Sequence, residues 1–140
     1  MPTVDDDGFV CLVCPDRYIG YVDEDWTLEQ VLERFVQQMN AGTLFVAYPG
    51  PDWTDEPFAV VAEPSAQAAA REATGGIRVG EGGVWLTDYI QLTMAAQYAD
   101  SAPVATHHTR LPIGPGAYRV TLRELSEGAA PALELVVASG

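Results

Sequence analysis

Between residues 28 and 39 the apolar side chains recur at Leu28, Val31, Leu32, Phe35, Val36 and Met39, the i, i+3, i+4, i+7, i+8, i+11 spacing of one helix face. A chain carrying that pattern must build an amphipathic helix and lay it on another layer. Thr27 and Gln30 match a capping box, and the acidic turn Asp23-Glu24-Asp25 suits the positive end of the helix dipole. Gly42 lies just past the stripe, where a left-handed cap is expected. The spacing therefore predicts an amphipathic helix over about 27–41 with one continuous apolar stripe.

Most of the remaining signal is β. Phe9–Cys14 and Tyr18–Val22 are apolar, β-branched and aromatic runs around Pro15-Asp16-Arg17, which reads as strand, turn, strand. Thr43–Tyr48 and Phe58–Ala62 are further strands, separated by a proline-rich loop over 49–57. Residues 84–98 alternate apolar and polar with period two, a run too long for one strand, so a break near Thr87-Asp88 is expected. Tyr118–Arg123 and Leu133–Val137 form a terminal hairpin. An alanine-rich stretch over 65–74, closed by Gly75-Gly76, favours a short second helix by propensity. The expected architecture is a single α+β domain over 1–140: a mainly antiparallel β-sheet or sandwich with one amphipathic helix and a possible second.

Charge narrows the function. Twenty acids against seven basic residues, all arginine, give a formal net charge of −13. It is unevenly spread: residues 1–63 hold a net −11 and residues 64–140 a net −2. Such a surface disfavours nucleic acid, whose phosphates need a basic patch, and suits a basic protein partner. No apolar run reaches the ~18 residues of a membrane span. The N-terminus is acidic where a secretory signal would be basic and then apolar, so cytoplasmic placement is expected.

Motifs for chemistry are weak. Cys11 and Cys14 are a C-x-x-C placed in a strand, where i and i+3 side chains point to opposite faces and share neither a disulfide nor a metal. His107 and His108 are adjacent and diverge on regular backbone. The serines lack a G-x-S-x-G elbow, and the glycine clusters at 75–76 and 80–83 lack the Lys-Ser/Thr of a phosphate loop and read as turns. No catalytic residue, metal site or cofactor is expected. What remains is a recognition surface: acids flanking aromatics, with Asp23, Glu24, Asp25, Tyr48, Asp52, Trp53, Asp55 and Glu56 as the predicted contacts. Asp5-Asp6-Asp7 is a further acidic cluster. Trp26 fits better as a staple at the helix start, while Trp53 suits core packing and partner contact equally.

Ala70-Arg71-Glu72-Ala73 running to Ile77-Arg78-Val79, and Leu111-Pro112-Ile113-Gly114-Pro115-Gly116-Ala117-Tyr118-Arg119-Val120, together resemble the competence-protein-J family of bacterial nuclease inhibitors over about residues 66–137. The resemblance implies a cytoplasmic inhibitor that occupies a cognate nuclease. It brings no binding residues with it. Combined with the charge, it leads to an expected immunity-type inhibitor of a basic bacterial toxin. The alternatives are a small-ligand or metal-binding β domain centred on His107 and His108, an enzyme of unrecognised class, and a chaperone or adaptor for a secreted effector.

Overall fold

In the computed structural model, which describes residues 2–97, 109–125 and 132–139, a three-stranded sheet lies between a four-stranded sheet and a layer of two helices. The elements run β1 (Val10–Val13), α1 (Leu28–Asn40), β2 (Leu44–Ala47), β3 (Phe58–Val61), β4 (Ala69–Val79), β5 (Trp85–Thr87), α2 (Tyr89–Gln97), β6 (Gly116–Leu125) and β7 (Leu133–Ser139). The small sheet has the order β2-β1-β5, all antiparallel; the larger has β3-β7-β6-β4, antiparallel except for the parallel pair β3·β7. The fold is α+β with antiparallel sheet dominant. No helix among the described residues is long and apolar enough to cross a membrane.

β1 explains the layering. All four of its residues are buried, so it reads as a continuous apolar run rather than an alternating one. Val10 and Leu12 join Phe45, Phe58, Ile77, Val120, Leu133 and Leu135 in the core between the sheets. Cys11 and Val13 point the other way and meet Val31, Phe35, Leu44, Leu92 and Ala96 under the helices. Cys14 returns to the inter-sheet core, so the two free thiols lie on opposite faces, as strand geometry requires.

α1 starts where its capping box predicts: the Thr27 hydroxyl accepts from Gln30 N at 3.3 Å and the Gln30 side chain accepts from Thr27 N at 2.8 Å. Gly42 takes φ +78° just past its end. The stripe is only partly covered, however. Val31 and Phe35 are buried, whereas Leu28, Leu32 and Val36 are 55%, 45% and 56% exposed.

Three expectations fail for identifiable reasons. Tyr18–Val22 is not a strand. The segment is instead held by the helices: Ile19 N donates to the buried Gln38 side chain at 3.0 Å, Arg34 Nη1 donates to Tyr21 O at 2.7 Å, and Val22 N donates to Ala96 O at 2.8 Å. The alanine-rich stretch is not a helix. From Ala69 onward it pairs with β6 as far as Val79, because a ladder of that length outweighs a weak helical preference. Gly75 then sits in mid-strand, where a Cβ would come within 3.0 Å of the Phe45 ring, so the residue allows close packing rather than ending a helix. The period-two run does break at Thr87-Asp88, but its second half is α2. The Asp88 side chain accepts from Gln91 N at 2.8 Å, and burial at Leu92, Ala95 and Ala96 follows the helical period. His107 and His108, and the turn expected around Ser126–Pro131, lie outside the described residues.

Candidate partner-binding face

The acidic face is built around Asp5. Asp5-Asp6-Asp7-Gly8 is a turn closed by Gly8 N donating to Asp5 O at 3.0 Å, with Gly8 at φ +82° and packed where a Cβ would strike the Gly50 backbone. The turn aims the Asp5 carboxylate inward. One oxygen accepts from Asp7 N (2.9 Å) and Phe9 N (2.8 Å), and the other accepts from Tyr89 N (2.9 Å), the first residue of α2. Asp5 and Asp88 thus both supply negative charge at the positive end of α2. Burial pushes the Asp5 carboxyl above its ordinary value, against the three backbone N–H groups, which hold it down.

The proline-rich loop is tied to the same turn. Val4 N donates to Glu56 O at 2.9 Å, Asp55 N to Val4 O at 3.1 Å, and Gly50 N to Gly8 O at 3.2 Å. Asp55 is held at φ +64°, an uncommon conformation for a residue other than glycine. The result is an open recess of about 330 Å³ whose lining includes Asp5, Asp6, Asp55, Asp88, Thr3 and Thr109. Four acidic residues line it, of which Asp6 and Asp55 are exposed while the Asp5 and Asp88 side chains accept from backbone N–H groups.

An aromatic ladder adjoins this recess. Phe9 stacks on Tyr89 with ring centroids 4.7 Å apart and 7° between planes, and Tyr48 packs on Phe9 at 4.6 Å. Tyr89 continues edge-on to Phe35 of α1 at 6.3 Å. Tyr48 stands at the outer end, 55% exposed, with its inner side supported by the stack. The Tyr89 hydroxyl is pushed up, first by burial and then by the Asp7 charge.

The predicted contacts therefore separate. Tyr48, Asp52, Asp55 and Glu56 come together with the Asp5 turn, and Asp52, Asp55 and Glu56 are exposed. Trp53 belongs to the same loop but is half-buried and packs on the inter-sheet core. Asp23, Glu24 and Asp25 are exposed elsewhere, near the other end of α2, where Asp23 N donates to Ala96 O at 3.1 Å. The nine residues of α2 put roughly 13 Å between the two groups. Trp26 packs under the helices, as a staple does.

Sequence reasoning left Asp88, Phe9 and Tyr89 out of the face. Asp88 was visible as the one polar residue interrupting an apolar row, which is the signature of an N-cap. The Phe9–Tyr89 stack joins distant positions, and no local pattern announces it. Among the described residues no three His, Cys, Asp or Glu side chains are grouped to hold a metal.

Comparison with known proteins adds a fold. No known protein family and no curated protein matches the chain. A solved structure named crocagin biosynthetic gene J is similar over 95% of this chain and 91% of its own, with a TM-score of 0.57 and 13% sequence identity. The likeness is one of fold.

Proposed function

We propose that this chain is a binding protein for a basic protein partner, acting in the cytoplasm as an immunity-type inhibitor that neutralises a cognate bacterial toxin, most simply a nuclease. The observation that carries this reading is the meeting of Asp5, Asp6, Asp55 and Asp88 around one recess, from whose Asp5–Tyr89 edge an aromatic stack runs through Phe9 to a solvent-exposed Tyr48. Carboxylates at such a face attract and orient arginine and lysine, while a pre-ordered tyrosine anchors contact at little entropic cost. A nuclease offers the complementary surface, because its cleft is basic in order to hold phosphate. An acidic inhibitor docked there excludes the substrate.

In this reading the exposed acids act mainly on encounter. Changing Asp52, Asp55 and Glu56 together to Ala slows association with the captured partner steeply at low salt and little at high salt. Salt-independent, unchanged kinetics would count against the proposal. One equivalent of the chain should also suppress the partner's nuclease activity; a stable complex that leaves the activity intact points instead to a chaperone or adaptor.

A second reading follows from the name of the similar structure, which refers to biosynthesis. The recess, about 330 Å³, falls at the small end of ligand-site volumes. A saturable thermal shift from the low-molecular-weight fraction of the native lysate, lost in Asp6→Ala/Asp55→Ala, would favour a small cationic ligand over a protein.

A further inference from the structure

α1 leaves part of its apolar stripe outside. Leu28, Leu32 and Val36 follow one another at i, i+4 and i+8, forming a ridge about 12 Å long. The opposite shoulder of the helix is occupied: Arg34 donates to Ile19 O and Tyr21 O, and Gln38 accepts from Ile19 N. At 100° per residue, Glu29 and Glu33 fall immediately beside the exposed ridge, and Asp23-Glu24-Asp25 precedes its N-terminal end. Arg34, the only basic residue of α1, is spent on those carbonyls, and among the described residues neither Glu29 nor Glu33 is ion-paired. The ridge is apolar with an uncompensated acidic border.

We infer that the Leu28–Leu32–Val36 ridge is a docking surface for a partner's amphipathic helix that carries arginine or lysine beside its apolar face. Charge selects this occupant. A second copy of the chain would bring another −13 and the same glutamates against the ridge, and an anionic lipid surface would meet the same repulsion. A basic amphipathic helix covers the leucines and neutralises the border in one contact, the helix-in-groove logic with charge supplying direction. This surface is separate from the Asp5 recess and stands or falls independently of the proposal made for that face. It gives Asp23, Glu24 and Asp25 a place at the second surface.

The test uses two synthetic 18-residue helical peptides with identical leucine spacing, one flanked by arginine and the other by glutamate, titrated into the isotope-labelled full chain. The arginine peptide is expected to bind saturably, with amide shifts concentrated on α1, and to lose at least tenfold in affinity with Leu32→Asp. Glu29→Lys/Glu33→Lys, which leaves the apolar ridge intact, should reverse the preference toward the glutamate peptide. Binding unaffected by Leu32→Asp, or shifts centred on Asp5, Asp6 and Asp55, would overturn the inference. So would a concentration-dependent dimer in sedimentation that Leu32→Asp abolishes, which would make the occupant a second copy.

Discussion

The carboxylate of Asp5 accepts the backbone N–H of Tyr89 at 2.9 Å, joining the N-terminal turn to the start of α2 across 84 positions of sequence. Its other oxygen holds Asp7 N and Phe9 N, so one side chain fixes both the acidic turn and the registration of the Phe9–Tyr89 stack. Removing it leaves three backbone donors without their acceptor. Asp5→Ala is expected to destabilise the chain by about 2–3 kcal/mol in urea unfolding. The pH dependence has a definite sign. Burial raises the folded carboxyl above its ordinary 3.8, so the folded state binds this proton more tightly than the unfolded state. The stability linked to this group is fully present below 3.8 and is lost as pH rises through the higher folded value. A carboxyl carbon titration of Asp5 with its midpoint at or below 3.8 would contradict the assigned burial.

Arg123 of β6 and Glu134 of β7 form an ion pair on the outer face of the larger sheet, with side chains only 11% and 5% exposed. Ser65 N and Oγ also donate to Glu134, and Arg123 Nη2 donates to Gln67 O, so the pair clamps the segment before β4 onto the sheet. Glu134→Ala leaves a shielded guanidinium without its main counter-charge and is expected to cost about 3–5 kcal/mol. The double change Arg123→Met/Glu134→Leu should cost much less. Equal losses in chemical denaturation for the single and double variants would argue against the pairing.

Cys11 and Cys14 should be chemically silent in the folded chain. Burial pushes the Cys14 thiol up to about 11 and the Cys11 thiol well above its ordinary value, and the two face different cores. Thiol labelling at neutral pH is expected to follow global unfolding, and mild oxidation should give no intrachain disulfide. Rapid native-state labelling of either residue would show that β1 is not the central strand described.

The Tyr18 hydroxyl is buried with no hydrogen-bond partner among the described residues, and desolvation pushes its pKa up. Tyr18→Phe removes a polar group that receives nothing in return, so stability should be unchanged or rise by up to about 1 kcal/mol. A clear loss of stability would reveal a partner for that hydroxyl.

The sequence made some elements legible because their signals are local. The Thr27–Gln30 box, the Gly42 cap and the continuous apolar run of β1 need only their neighbours to be read. β4 is not legible locally because the outcome depends on β6, about fifty residues away, whose ladder overrides alanine's preference. α2 is ambiguous in the sequence because nine residues of alternating polarity fit both periods, and only the Asp88 cap separates them. The acidic clusters were visible as composition. Their division into a recess face and an α1 face is not, because it is set by distant contacts: Asp5 with Tyr89 and Val4 with Asp55 and Glu56 on one side, Asp23 with Ala96 on the other.

The central claim is that the recess face captures a basic protein. Its most direct test is affinity capture from the native lysate at low salt, using the wild-type chain and an Asp6→Lys/Asp55→Lys/Glu56→Lys variant as parallel baits, followed by quantitative mass spectrometry. The account predicts one stoichiometric basic protein on the wild-type bait, released by salt and absent from the variant. A partner retained equally by both baits, or no basic protein on either, would contradict it.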